Sequence, residues 1–371
     1  MPAVINAVPF LDLTHEFKEL QAEWFEAIRA CGESGAFILG RNVTAFEREL
    51  AAYVGVKHAV AVANGTDALV LSLRALNIGP GDEVITTPFT FFATAEAVSL
   101  VGAIPVFADI LPDSFNIDSS AIRACITAKT RAIIPVHLYG HPAQMDEILS
   151  IARQYNLVII EDCAQAFGAT VKDRRVGSIG DTGCFSFYPT KVLGCYGDGG
   201  MITIGSAELA ERLRCLRNHG ATQPFIHDAV GYNSRLDEIQ AALLRIKLRC
   251  IDRAIQARRA VAAAYGLRLQ ESPVTLPSES SASAGHVFNL YTLRSNRRDH
   301  VRQCLSEHNI GSSVCYPVPL HLQEVYRGLS YKPGDLPIAE RAAGEVLSLP
   351  IYPGMDGAYI ERVCEIIRKA L

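Results

Sequence analysis

His58-Ala59-Val60-Ala61-Val62-Ala63-Asn64-Gly65-Thr66-Asp67 is an apolar run of strand length that breaks at Asn-Gly and passes into a helical pattern over 67–76. A short apolar run bounded by turn residues reads as a buried strand. The same unit recurs downstream. Strands are expected at 83–87, 104–108, 131–136 and 157–161, with helices at 92–101, 119–127 and 142–155 between them. Strand–helix alternation with nearly continuous apolar strands implies a parallel sheet covered on both faces. Further strands at 182–187 and 201–204 bring the expected count to seven. The fold class is α/β, with a mostly parallel seven-stranded sheet.

The flanks are read in the same way. Leu13, Phe17, Leu20, Trp24 and Ile28 lie on one helical face that ends at Gly32 or Gly35. A second short helix is expected from Phe46 to Tyr53. Ser234 opens a long helix with the stripe Leu236, Ile239, Leu243 and Ile246, and Ser234 with Asp237 fits a capping box. Residues 271–285, rich in Ser and Pro, read as a linker. Beyond them come a strand (287–293), a helix (298–307), a short strand (312–316) and helices at 338–346 and 359–369. The 371 residues exceed the size at which one core keeps growing. A large domain over 1–255 and a smaller C-terminal α/β domain over 256–371 are therefore expected.

Composition narrows the function class. Charged residues make up 20% and the net charge is −4, so no basic excess supports nucleic-acid binding. No apolar run has the length of a membrane span. The N-terminus lacks the positive flank and apolar core of a signal peptide. None of the ten cysteines form a C-x-x-C pair, and they read as reduced thiols in the cytoplasm. No metal site is expected.

Three stretches carry chemistry. In Ser186-Phe187-Tyr188-Pro189-Thr190-Lys191-Val192-Leu193-Gly194 the nearest charges to Lys191 are Asp181 and Asp198. Apolar surroundings lower a lysine's pKa, and a partly neutral lysine attacks a carbonyl to form a Schiff base. Asn64-Gly65-Thr66-Asp67 sits at a helix N-terminus, where free N–H groups and the helix dipole favour a phosphate; an ordinary capped turn has the same sequence. Glu161-Asp162-Cys163-Ala164-Gln165 follows the strand at 157–161, and ligands of open parallel sheets bind at the strands' carboxyl ends. A carboxylate there holds a protonated ring nitrogen, or serves as a cap or buried ion pair. Lysine for an aldehyde, aspartate for a pyridinium and helix end for a phosphate are the needs of pyridoxal phosphate. Ser186 adds a hydroxyl to the phosphate, and Phe91 offers a ring to stack on the pyridine. P-loop, dinucleotide-binding, zinc-protease and serine-hydrolase motifs are absent.

These segments, with Gly79-Pro80-Gly81-Asp82-Glu83-Val84, Pro88-Phe89-Thr90-Phe91-Phe92-Ala93-Thr94 and Gly231-Tyr232-Asn233-Ser234-Arg235-Leu236-Asp237, resemble the DegT/DnrJ/EryC1/StrS family of nucleotide-sugar aminotransferases over about residues 8–352. The resemblance implies the aspartate-aminotransferase-like fold (type I) and a homodimer with shared active sites. It implies that Lys191 holds the cofactor and shuttles the proton, that Asp162 pairs the ring nitrogen, and that Gln165 bonds the ring hydroxyl. Phe91 stacks on the ring, and Gly65, Thr66 and Ser186 hold the phosphate. Asn233 reaches the phosphate of the neighbouring subunit. Arg235, Tyr316 and His321 are the substrate candidates.

The implied partners are a nucleotide-diphosphate ketosugar, aminated at C3, and L-glutamate, released as 2-oxoglutarate. A 4-ketone or a UDP-3-keto-hexuronate is the alternative. A dehydratase relative carries histidine in place of Lys191, and a third possibility is a regulator of the same fold. The chain departs from the family pattern at Cys315 and Asn289, where histidine is common. Both lie on the expected sugar side.

Overall fold

The computed structural model describes residues 7–277 and 284–371. Two helices open the chain, α1 (Thr14–Ser34) and α2 (Arg41–Val54). The strand–helix units follow as β1 (His58–Val62), α3 (Gly65–Ala75), β2 (Glu83–Thr86), α4 (Ala93–Leu100), β3 (Ile104–Phe107), α5 (Ser119–Cys125), β4 (Thr130–Ile133), α6 (Met145–Tyr155) and β5 (Val158–Asp162). Two-residue strands β6 (Thr170–Val171) and β7 (Arg174–Arg175) precede β8 (Thr182–Ser186) and β9 (Gly200–Ile204). Next come α7 (Ala207–Arg217), the hairpin β10 (Ala221–Gln223) and β11 (Ile226–His227), α8 (Glu238–Leu248) and α9 (Ile251–Leu269). The C-terminal part holds β12 (Ala284–Gly285), β13 (Tyr291–Arg294), α10 (Arg298–Glu307), α11 (Pro337–Glu345), β14 (Val346–Leu349) and α12 (Gly357–Ala370).

Seven strands form one sheet in the order β1-β9-β8-β5-β4-β2-β3. Only β9 runs against its neighbours, β1 and β8; the other pairs are parallel. Both faces of the sheet are covered, so apolar residues run along most of each strand rather than alternating with polar ones. Val60, Val62, Ile160 and Ile202 pack under α3, α4 and α7 with Leu71, Val98 and Leu213. Their neighbours Ala59, Ala61 and Met201 face the other way, into a cluster with Phe46, Leu50 and Leu244.

A second core is built by β13, β14, α10, α12 and the end of α9, with Tyr265, Leu293, Leu305, Leu349 and Val363 in it. The boundary expected at 255 falls inside α9, whose Ile255 belongs to the sheet's core and whose Val261 belongs to the second. Val8 also packs in the second core and bridges to Ile310.

Several local expectations are corrected. α2 starts at Arg41, not Phe46, because the Glu238 carboxylate accepts from the N–H groups of Gly40, Asn42 and Val43. The next long helix starts at Glu238, not Ser234, and breaks at 249–250 into α8 and α9. Ser234 caps nothing there; its hydroxyl accepts from Ala63 N–H at 3.2 Å. The strand expected at 287–293 shrinks to β13, since Phe288 has a positive φ of 48° and its N–H turns back to His286 Nδ1. The strand expected at 312–316 reduces to one bridge, Ser313 to Ser348, and ends where Tyr316 takes φ 65°. The helix expected at 338–346 ends at Glu345, and β14 follows directly to pair with β13. Within the linker expected at 271–285, residues 278–283 lie outside the described residues.

Two buried histidines sit where residues 286–290 pack on the turn at 138–141. His141 and His286 meet edge to face at 5.2 Å. Val287 N–H donates to Gly140 O and Leu290 N–H to Tyr139 O. Burial lowers the pKa of both imidazoles; a proton on either is further opposed by a neighbouring imidazole, His137 for His141 and His141 for His286. The unfolded chain therefore binds protons that the fold excludes, so stability is complete above the ordinary histidine value of about 6.5 and falls as pH drops below it. The expected outcome is a urea midpoint that declines from pH 7 to pH 5, with a shallower decline in His286→Asn, which keeps an acceptor for Phe288 N–H. Equal slopes in both proteins would rule out this pair as the cause.

Candidate active site

The site lies at the carboxyl ends of β5 and β8. A cavity of about 710 Å³ there is lined by Asn64, Gly65, Thr66, Phe91, Asp162, Gln165, Ser186, Lys191 and Tyr316, among others. Every sequence-predicted cofactor residue except Asn233 is in its wall.

Asp162 ends β5 and is buried. Its Oδ2 accepts from Thr94 Oγ1 at 2.8 Å and its Oδ1 from Ala164 N–H at 3.1 Å. Glu161, one residue earlier, points to the opposite face of the sheet. It is fully buried and accepts from the N–H groups of Gly177, Ile179 and Gly180 at 2.7–2.9 Å. His137 Nε2 lies 3.0 Å from Glu161 Oε2. Ala143 N–H donates to His137 Nδ1, so the ring proton is on Nε2 and is given to Glu161. Glu161 thereby locks the strand end from below while Asp162 faces the cavity.

One wall of the cavity is a helix end. Asn64 caps α3 by accepting from Asp67 N–H at 2.8 Å. The N–H groups of Gly65 and Thr66 are left without intrahelical acceptors. A Cβ on Gly65 would stand 2.7 Å from Ser186 Cβ, so only glycine lets the helix end meet the Ser186 hydroxyl. Phe91 is 61% exposed and lies in the wall of this cavity. Gln165 has its Oε1 on Tyr139 N–H and its Nε2 on the Tyr316 hydroxyl at 2.7 Å.

Lys191 sits on the turn after β8, with its N–H on Tyr188 O at 2.9 Å. Burial lowers its pKa, because an ammonium loses hydration there; the Asp162 carboxylate opposes the shift, and Cys315 does so less. Lys191 is the only cation in this cavity wall among the described residues. The residues present fit pyridoxal phosphate: an amine for the aldehyde, a carboxylate for the ring nitrogen, and N–H groups with a hydroxyl for the phosphate.

Three candidates lie elsewhere. Asn233 is exposed and bridges to Asn218. Arg235 donates to Asn218 Oδ1 at 3.2 Å. His321 is buried, 3.2 Å from Glu340 Oε1 and edge-on to Tyr331. It packs under α11 and is not in the lining of this cavity. The reading of the sequence missed Thr94, which holds Asp162, and the pair of His137 with Glu161. No local pattern marks either, since their partners are 68 and 24 residues away.

The profile of the DegT/DnrJ/EryC1/StrS aminotransferase family matches residues 18–368. A Geobacillus stearothermophilus protein described as a pleiotropic regulatory protein is 47% identical, covering 98% of each chain. The UDP-N-acetyl-3-dehydro-alpha-D-glucosamine 3-aminotransferase of Acidithiobacillus ferrooxidans is 46% identical over 99% of this chain and 98% of its own. Among solved structures, S. venezuelae DesV in complex with a ketimine intermediate superposes with a TM-score of 0.96 at 46% identity, over 98% of each chain.

The lysine's environment is testable without any ligand. Acylation of Lys191 in the cofactor-free protein, followed by mass spectrometry across pH, should reach half its limit below the ordinary lysine value of about 10.4. Asp162→Asn should move that midpoint further down, because it removes the main charge that favours the ammonium. A midpoint at the ordinary value, unmoved by Asp162→Asn, would contradict this electrostatic account.

Proposed function

The chain belongs to the DegT/DnrJ/EryC1/StrS aminotransferase family, whose members use pyridoxal phosphate, and from that premise we propose that it moves the amino group of L-glutamate to the C3 ketone of a nucleotide-diphosphate sugar. The observation that carries the reading is the meeting of Lys191, Asp162 and the α3 N-terminus in one cavity. The C3 assignment is supported by the A. ferrooxidans relative, named for a 3-dehydro sugar.

Bound in this cavity, pyridoxal phosphate supplies an electrophilic carbon for the incoming amine and an electron sink for the proton removed from the amino acid. Asp162, fixed by Thr94 and Ala164 N–H, holds the ring nitrogen protonated. Gln165 spends one amide hydrogen on Tyr316 and has a second for the ring hydroxyl. Gly65, Thr66 and Ser186 take the phosphate, and Phe91 covers the ring. The Lys191 amine would hold the cofactor's aldehyde carbon until the donor's amine takes its place, and would then take the α-proton of glutamate and pass it to that carbon, on the far side of the shared nitrogen. The same side chain runs these steps in reverse on the ketosugar. A lowered pKa suits this work, since only the neutral amine accepts a proton.

A homodimer completes the site in this reading. A sugar diphosphate brings at least two negative charges, and among the described residues the cavity wall holds Asp67, Asp162 and Asp198 but no arginine. Arg235 and the exposed Asn233 follow the β10–β11 hairpin, where Phe225 is 97% and Val230 84% exposed. Large apolar side chains so exposed fit a surface that a second copy covers, which carries Asn233 and Arg235 to the neighbouring cavity. Tyr316 is the substrate contact from the C-terminal part. The ten free cysteines fit a reducing cytoplasm, and no described helix is long and apolar enough to cross a membrane.

The regulatory label of the G. stearothermophilus relative supports a second reading, a sensor of the same fold. One spectrum separates them. The protein loaded with pyridoxal phosphate should absorb in the visible and bleach on adding L-glutamate; Lys191→Ala should lose the band and at least about 10³-fold in turnover. Visible absorption without bleaching by any amino acid would favour the sensor. The shared site has its own test. Lys191→Ala and Asn233→Ala proteins, each inactive alone, should regain activity when mixed and re-associated, since one site per mixed dimer is then intact. No recovery in verified mixed dimers would place Asn233 outside the site.

A further inference from the structure

We propose that Lys247 is a positioning residue for Lys191: a buried ammonium on α8 that tethers the lysine turn from its unpacked side. The turn is folded tightly on itself. Cys195 N–H returns to Phe187 O at 2.8 Å, closing a loop with Lys191 near its middle. Gly194 is pressed against its start, so a Cβ there would stand 2.6 Å from Pro189 O and 2.8 Å from Tyr188 O. On the side away from the cofactor cavity, Pro189, Lys191 and Val192 face a second cavity of about 330 Å³, bounded by α1, α9 and residues 352–354. No side chain of the described residues fills that space, so packing holds the turn less closely on that side than on the side where Val192 and Leu193 join the core.

Lys247 supplies what packing does not. It is 5% exposed. Its Nζ donates to Gly194 O at 2.5 Å and pairs with Glu16 Oε2 at 2.5 Å. The ammonium also lies 5.5 Å from the centre of the Tyr196 ring. Gln240, seven residues earlier on the same face of α8, makes a paired contact with Tyr196: its Oε1 accepts from Tyr196 N–H and its Nε2 donates to Tyr196 O. Two side chains two turns apart thus clamp residues 194–196, and Glu16 ties the clamp to α1. A buried ammonium costs several kcal/mol unless it is paired and hydrogen-bonded, and an apolar side chain would fill the same volume without that cost. What lysine adds is a charged donor on the backbone three residues after Lys191. Holding a reacting group to within a fraction of an ångström is worth large factors in rate.

The proposal rests on the aminotransferase reading only for its kinetic arm. Lys247→Met keeps length and apolar stem but loses donor and charge; Lys247→Gln keeps a donor. In Lys247→Met, amide hydrogen exchange over 188–194 should speed by about tenfold or more as local opening becomes easier. The acylation midpoint of Lys191 in cofactor-free protein should rise by about half a unit or more, toward ordinary lysine, as water enters. The first-order rate of bleaching by saturating L-glutamate should fall about 10–100-fold with the KM for glutamate within about threefold. Lys247→Gln should recover much of each loss. The idea is overturned if Lys247→Met leaves exchange and midpoint at wild-type values, or if it lowers only the thermal midpoint while the folded, loaded protein reacts normally. If the wild-type protein is not bleached by glutamate, the donor assignment fails, and exchange and midpoint still decide the role of Lys247.

Discussion

A lysine whose charge is disfavoured and an aspartate whose charge is needed share one partly dehydrated cavity, and the structure is arranged to keep both. Burial disfavours the ammonium of Lys191, and the Asp162 carboxylate opposes that shift. Asp162 is held in place by two hydrogen bonds, from Thr94 Oγ1 and Ala164 N–H. The balance depends on where β5 ends, and that is set by Glu161. Its fully buried carboxylate would cost several kcal/mol unpaired. Three backbone N–H groups and His137 answer it, each such bond to a charge contributing about 1.5–3 kcal/mol. Adjacent residues on one strand thus serve opposite faces: one fixes the strand, and the other faces the chemistry.

How much of this is legible in the sequence follows from the range of the interactions. Alternation of apolar runs with helical stripes is local, and the seven strands and their helices were readable from it. That Gly65, Asp162 and Lys191 belong together was also readable, because glycine at a helix start, an acid at a strand end and a lysine in apolar company are local patterns, and the three line one cavity. Features fixed by distant partners were not. α2 begins five residues early because a carboxylate 198 residues away caps it. Ser234 looks like a cap from its neighbours, yet its hydroxyl serves the backbone of Ala63. β14 follows α11 with no glycine or proline between them, so nothing local marks the change. His321 carries a titratable ring near the expected sugar side, but its charge partner Glu340 holds it inside the packing.

Among the described residues, the C-terminal part enters the cavity that holds Lys191 and Asp162 through Tyr316 alone. It does so in a left-handed backbone conformation that non-glycine residues rarely adopt. Its ring lies parallel to that of Tyr139 at 6.3 Å and edge-on to Phe89 at 5.8 Å, and its hydroxyl accepts from Gln165. The other end of the Gln165 amide holds Tyr139 N–H, and Tyr139 O takes Leu290 N–H. Gln165, three residues beyond the end of β5, thus fastens Tyr316 directly and, through Tyr139, the segment at Leu290.

The residues that β5, β8 and α3 bring to the cavity are fixed by strand ends and a helix start, and changing them would disturb the sheet. Cys315 is outside this set: its sulfur lies 3.8 Å from Ser313 Oγ and 3.9 Å from Ser348 Oγ, in the C-terminal part. Asn289 is buried with its side-chain oxygen unpartnered among the described residues, one residue before the Leu290 N–H that bonds Tyr139 O. An unsatisfied buried acceptor is costly and calls for a donor. Both departures from the family pattern thus flank the Gln165 fastening. Cys315 also bears on Lys191, whose ammonium it favours less than Asp162 does, so substitution there reaches the lysine as well as the pose of Tyr316.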